Sequence, residues 1–324
     1  MEEILRLFPN ELKGLIESKI AFRWQLLQEI RLRLNQQVEL IFNTESEWVE
    51  ITSVREDFVF VVNQLSEFSL YRMEDELREG YITIEGGHRV GLAGKVNTLG
   101  GNVKAIQHIT FLNIRIAKQI IGTATPIIPY MYKSAYLSTL FVGPPQTGKT
   151  TIIRDVSRLI ATGWGNVPAK KVGIIDERSE IGASIKGVPQ HDLGRRTDVM
   201  DACPKAEGMM MMIRSMSPDV LVVDEIGSKS DVAALLEAIN AGVVVICTIH
   251  GQSLTELKKR PIIQPLFLQH VFKRIVLLEK HRDPGRINSI YDHNEVNILQ
   301  KSRGLSNAVD WSTSFHRHDN MDRI

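Results

Sequence analysis

Residues 137–163, LSTLFVGPPQTGKTTIIRDVSRLIATG, constrain the fold more than any other part of the chain. An apolar run meets a loop bounded by Gly143 and Gly148, and a segment with helical spacing follows. The loop fits G-x-x-x-x-G-K-[ST] at every fixed position. In such a loop the glycines let backbone N–H groups turn toward phosphate oxygens, the lysine reaches the outer phosphates and the hydroxyl holds Mg²⁺. The helix that starts there adds its positive end. We therefore expect ATP and Mg²⁺ as cofactors. Gly143, Pro144, Pro145, Gln146, Thr147, Gly148, Lys149, Thr150 and Thr151 would form the cradle, and Thr150 would be a metal ligand. Gln146 occupies a variable position where many such loops carry glycine. Its side chain is expected to lean outward from a backbone that a non-glycine residue tolerates.

The rest of the chain supplies a scaffold of the right kind. After residue 137, apolar runs (LSTLFV, KVGIID, VLVVDEI, VVVICTIH, RIVLLEK) alternate with TTIIRDVSRLIATG, AEGMMMMIRSM and SKSDVAALLEAINAG, which have helical spacing. Strands that are apolar throughout imply a mostly parallel sheet covered on both faces. The expected class is α/β, a RecA-like P-loop NTPase core preceded by a smaller α+β domain. We place the N-terminal domain at 1–120, a hinge at 121–130, the core at 131–303 and a frayed polar tail at 304–324. Residues 1–38, including WQLLQEIRLRL, read as helices. VELIF, WVEITSV, the hairpin YITI-EGGH-RVGLAG and ITFLNIRIA read as strands, with a helical stretch at 65–80 between them.

Hydrolysis needs a carboxylate for the metal and a base to orient water. VLVVDEI ends in Asp224 and Glu225, taken respectively as Mg²⁺ ligand and base. A second acidic pair, Asp176-Glu177, ends KVGIID, so the choice of base between Glu225 and Glu177 stays open. His250 ends another strand on the same edge and is a candidate γ-phosphate sensor. Arg195, Arg196 and Arg178 are candidate arginine fingers, and Arg214 is a weaker one. The run MMMMI reads as core filling, and His316 and His318 lack a metal-ligand framework.

Charge and cysteine content exclude several classes. Lys and Arg number 39 against 38 Asp and Glu, a formal net charge of +1, and LKKR (257–260) has no aromatic interleaving. A nucleic-acid NTPase is therefore the poorer reading, because backbone binding is dominated by Lys and Arg. An ATP-dependent scaffold with negligible hydrolysis is a further alternative. Two cysteines suit a reducing compartment. No signal peptide and no apolar run near the ~20 residues of a membrane span is evident, so a cytoplasmic protein is expected.

YRMEDELREGYITIEGGHRVGLAGKV (71–96), NIRIAKQIIGTA (113–124), GPPQTGKTT, IIDERSEI and SPDVLVVDEIG…AALLEAINAGVVVICTIHG (217–251) together resemble the stage III sporulation protein AA family of endospore-forming bacteria. That family is similar to the hexameric ATPases of type II and type IV secretion systems. Their four boxes correspond here to Lys149/Thr150, Asp176/Glu177, Asp224/Glu225 and His250. The resemblance implies a hexameric homo-oligomer on the mother-cell side of a mother cell–forespore channel, docked on a membrane platform protein. Asp224-Glu225 stands where secretion ATPases often carry Gly-Glu and draw the catalytic glutamate from the acidic box.

Overall fold

The computed structural model describes residues 1–43, 45–66, 80–99, 102–281 and 284–299. The expected helical stretch at 65–80 falls largely outside these residues, as do the tail from 304 and His316 and His318.

Two sheets carry the architecture. The first is antiparallel with strand order β3-β2-β1-β6-β5-β4: β1 Leu27–Arg33, β2 Gln37–Phe42, β3 Ser46–Thr52, β4 Tyr81–Ile84, β5 His88–Leu99 and β6 Asn102–Arg115. Helices α1 (Glu2–Leu5), α2 (Asn10–Ile20) and α3 (Arg55–Leu65) contribute Ile4, Leu12, Ile16, Phe58 and Val61 to its core, against Ile30, Leu32, Leu40 and Ile114. The helical expectation for 24–34 is corrected here, because Leu27–Arg33 is a central strand. Its apolar residues satisfy a helical spacing (27, 30, 34) and an alternating one (30, 32, 34) equally well. Pairing with β2 and β6 decides between them, burying Ile30 and Leu32 and turning Glu29, Arg31 and Arg33 to the other face.

The second sheet has the order β13-β12-β7-β11-β10-β8-β9. Its strands are β7 Thr139–Gly143, β8 Val172–Asp176, β9 Thr197–Asp201, β10 Val220–Val223, β11 Val244–His250, β12 Arg274–Leu278 and β13 Ile287–Asp292. All neighbours are parallel except β12 and β13. β7, β8 and β10 are buried at every position, as expected of strands with helices on both faces. β9 and β13 were not foreseen, since TDVMD and INSIYD are too polar to read as buried strands. The flanking helices are α4 Lys149–Thr162, α5 Lys205–Met216, α6 Lys229–Asn240, α7 Leu254–Lys258 and α8 Gln264–Leu268. On α5, Met209 and Met212 fill the core, whereas Met211 faces solvent. Ser228 caps α6 by accepting from Asp231 N at 3.0 Å, and the Asp231 carboxylate returns a bond to Ser228 N at 2.9 Å.

Residues 121–130 join the two sheets. Ala124, Ile127 and Ile128 are buried in the core of the second sheet with Ile152, Val156 and Ile160 of α4. The Asp155 carboxylate accepts from Gly122 N (2.9 Å) and Ala124 N (2.8 Å) and pairs with Arg158 at 2.7 Å. Asp155→Ala is expected to lower the unfolding free energy by about 2–3 kcal/mol, since a buried carboxylate with charge-assisted bonds is lost. Urea denaturation followed by circular dichroism checks this.

Candidate active site

Hard-sphere contacts explain the loop's glycines. A Cβ on Gly143 would lie 2.5 Å from Thr147 Oγ1, the hydroxyl that ties the loop to Pro144 O at 2.9 Å. Gly148 has φ +83°, and a Cβ there would lie 2.4 Å from Gly285 N. Gly285 N in turn donates to Thr147 O at 2.8 Å. The expectation for Gln146 needs correction in one respect. Its side chain is exposed, but its φ is +65°, in the left-handed region that favours glycine.

Lys149 opens α4 and is buried. Its Nζ donates to Gly143 O (3.2 Å) and Pro144 O (3.1 Å) and lies 3.1 Å from His250 Nδ1. The ammonium donates, so Nδ1 accepts and the imidazole proton belongs on Nε2, which is 2.6 Å from Glu225 Oε1. Burial lowers the Lys149 pKa, and Glu225 and Asp224 oppose that shift. One step further along α4, Thr150 Oγ1 donates to Asp224 Oδ2 at 2.6 Å.

β11 separates β7 from β10, and Thr248 fills the gap between their ends. Its hydroxyl donates to the other Asp224 oxygen and accepts from Glu225 N at 2.9 Å. Burial pushes the Asp224 carboxyl pKa up, and the two hydroxyls only partly offset it. A divalent cation would supply the missing compensation. Thr150 Oγ1 and Asp224 Oδ2 are hard oxygen donors close enough to share one Mg²⁺ coordination sphere, directly or through water. Among the described residues no cluster of three or more His, Cys, Asp or Glu could hold a metal alone.

The acidic box divides its labour. Asp176 is 2 % exposed and accepts from the backbone N–H of Glu180 (2.8 Å), Ile181 (2.9 Å) and Gly182 (2.8 Å), so it shapes the following loop. Glu177 instead pairs with Lys205, while Glu225 has His250 on one oxygen and Arg178 on the other at 3.4 Å. Arg195 and Arg196 lie at the opposite edge of the sheet, before β9, where Arg196 bonds Ala169 O at 3.0 Å. Arg214 is at the end of α5, bonded to Met210 O. Neither region is brought to Lys149 within this chain.

Several cationic residues at the site were not singled out from sequence. A cleft of 380 Å³ between the two sheets is lined by Thr150, Thr151, Arg154, His191, Arg89 and Arg115 of the first sheet, and Lys118 just after it. His191 is driven down to about 4, mainly by burial and by the Arg154 charge, so it is neutral near pH 7. Arg260, from the discounted LKKR run, donates to His250 O at 2.7 Å and fixes the end of β11. Helical spacing from Thr150 to Arg154 was a usable signal, as was strand alternation from Thr248 to His250. For Arg89, Arg115 and Lys118 the sequence carried none.

The pattern described as "Sporulation stage III, protein AA" matches residues 1–298. The stage III sporulation protein AA of Bacillus subtilis (strain 168) is 47 % identical over 305 residues, 94 % of this chain and 99 % of that protein. The chain belongs to the stage III sporulation protein AA family. Its fold is shared with the ATPase DotB and the pilus retraction motor PilT. The ATPase DotB of Yersinia pseudotuberculosis matches with a TM-score of 0.59 at 13 % identity, over 93 % of this chain and 83 % of that one. The pilus retraction motor PilT, with bound ADP, matches with a TM-score of 0.58 at 15 % identity, over 85 % and 77 %.

Two substitutions probe the loop. Gln146→Gly removes a left-handed side chain at a cost of backbone entropy, so stability is expected to stay within about 1 kcal/mol and nucleotide affinity to be kept. Gly148→Ala is expected to lose more than about 2 kcal/mol, because backbone must move as well as adopt a strained φ. Thermal unfolding and titration with a fluorescent ATP analogue read both.

Proposed function

We propose that this chain is an oligomeric, Mg²⁺-dependent ATPase motor that energises assembly or transport through a secretion-like channel between mother cell and forespore. The observation that carries the reading is the junction of Lys149, Thr150, Asp224, Glu225 and His250 at one sheet edge, on a fold shared with motor ATPases. Backbone N–H groups of residues 146–148 and the start of α4 would bind the ATP phosphates, Pro144 and Pro145 having none to give. Lys149 would leave the carbonyls of Gly143 and Pro144 and His250 Nδ1 for the outer phosphates. Mg²⁺, when bound, would neutralise charge developing on the phosphates.

Glu225 is the favoured base. Its N–H is held by Thr248, and its carboxylate adjoins His250, which adjoins Lys149. Movement of Lys149 would leave His250 Nδ1 without its donor, a direct route from phosphate binding to Glu225. Glu177 is engaged with Lys205 and is the less favoured candidate. Arg195 and Arg196 could serve only a neighbouring subunit's site, in keeping with a homo-oligomer, for which we favour a hexamer. Among the described residues no helix is long and apolar enough to cross a membrane. Attachment on the mother-cell side would then go through a membrane platform protein.

Lys149→Ala is expected to weaken ATP binding about 10- to 100-fold, the loss of charge-assisted hydrogen bonds. Glu225→Gln is expected to keep binding and lose turnover by about 10²–10⁴-fold, the usual contribution of a general base. Glu177→Gln should retain most activity. Full turnover in Glu225→Gln with loss in Glu177→Gln would transfer the base to the acidic box. Absence of turnover in the assembled wild type would favour an ATP-dependent scaffold.

A further inference from the structure

The loop after β8 ties together three parts of the molecule. Asp176 shapes it from within, through the three backbone bonds already described. From α4, Arg154 donates to Ile181 O (2.7 Å) and Glu180 O (2.6 Å). From β5 of the first sheet, Arg89 donates to Arg178 O at 2.6 Å and to Glu180 Oε1 at 3.3 Å. The Arg89 guanidinium also lies 4.9 Å from the centre of the Tyr81 ring. Residue 178, gripped by its carbonyl, extends its own guanidinium to Glu225 Oε2 at 3.4 Å.

Left-handed backbone occurs at several non-glycine positions of this loop and at Glu225. Ser179, Ala183 and Lys186 have φ of 50°, 50° and 51°, and Glu225, which Arg178 contacts, has φ 51°. Non-glycine residues persist in this region only where the surroundings over-determine them, and such strain clusters at switch regions. The first sheet also packs closely here, since a Cβ on Gly87 would lie 2.5 Å from Ala183 Cβ.

The Arg178 side chain is 67 % exposed. An exposed ion pair of this length contributes little on its own, because holding a long side chain in one geometry consumes the attraction. Fixing the backbone of residue 178 changes that balance, as fewer rotamers then compete with the contact. Arg89 supplies that fixation, and it comes from the other sheet.

We propose that Arg89 is a positioning residue: by holding the Arg178 carbonyl it keeps the Arg178 guanidinium on Glu225, so the placement of the N-terminal sheet governs the candidate base. This rests on the reading of Glu225 as base. It makes the first sheet a regulator of turnover, acting through the loop rather than through contact with the nucleotide.

The test uses the full chain carrying Arg89→Gln, Arg89→Lys, Arg178→Gln and the Gln/Gln double variant. Three quantities are read: hydrogen exchange of segments 177–182 and 225–227 without nucleotide, ATP turnover, and affinity for a fluorescent ATP analogue. Arg89→Gln is expected to speed exchange in both segments. It should lower kcat about tenfold with affinity changed less than about twofold, the mark of an interaction that serves the chemical step alone. The double variant should be no slower than Arg178→Gln, since the two act in one chain. Arg89→Lys should recover part of kcat, because an ammonium can still reach one carbonyl. A large loss of affinity in Arg89→Gln, or additive losses in the double variant, would overturn the proposal in favour of direct nucleotide contact. Unchanged exchange at 225–227 would also overturn it, whatever the activity. Absence of wild-type turnover with the exchange coupling intact would remove the ATPase reading and leave the positional link standing. Arg178 is exposed, so Arg178→Gln folds even if Arg89→Gln proves unstable.

Discussion

Parallel pairing of β7, β11, β10 and β8 is the constraint on which the site depends. Parallel strands share a C-terminal edge, and in open α/β sheets ligands gather there. The register pairs His250 with Gly143 and Val223 with Cys247. Histidine and phosphate loop are thereby neighbours, while Asp224 emerges beside Thr248. Because β11 intervenes between β7 and β10, the hydrogen-bonded pair Thr150–Asp224 spans a whole strand, and the Thr248 hydroxyl is what makes that span polar and satisfied.

Charge burial sets the second level of organisation. Lys149 and Asp224 are both drawn out of water, and each shifts toward its neutral form. An unpaired buried charge is expensive, so each must find partners. Lys149 finds two carbonyls and an imidazole. Asp224 finds two hydroxyls. The result is a continuous sequence of contacts, Lys149 to His250 to Glu225 to Arg178, that runs from a buried ammonium to an exposed guanidinium.

Helix α4 joins this chemistry to the architecture. Arg154 holds the carbonyls of the loop after β8, and the adjacent Asp155 holds the segment leading from the first sheet. The helix that begins at the phosphate loop therefore grips both the acidic-box loop and the inter-sheet connection. The first sheet answers with Arg89 and Arg115 at the cleft, joined by Lys118 from the connection that follows it.

The sequence by itself determined the phosphate loop, the apolar strands of the second sheet and its long helices, because these are local. Glycine spacing, uninterrupted apolar runs and 3.6-residue periodicity are each readable within about 15 residues. It also placed Asp224, Glu225, Asp176 and His250 at strand ends, where a parallel sheet must bring them near one another. Tertiary structure decided what depends on partners distant in the chain. β1 became a strand because β2 and β6 flank it, although its own spacing allowed a helix. Gln146 took a left-handed φ because the loop closes around it. Glu177 and Glu225, equivalent as letters, were separated by Lys205 on one side and by His250 and Thr248 on the other. Arg89 reached Arg178, 89 positions away in the chain. Neither composition nor period encodes such a contact, because it exists only once two independently buried sheets have packed.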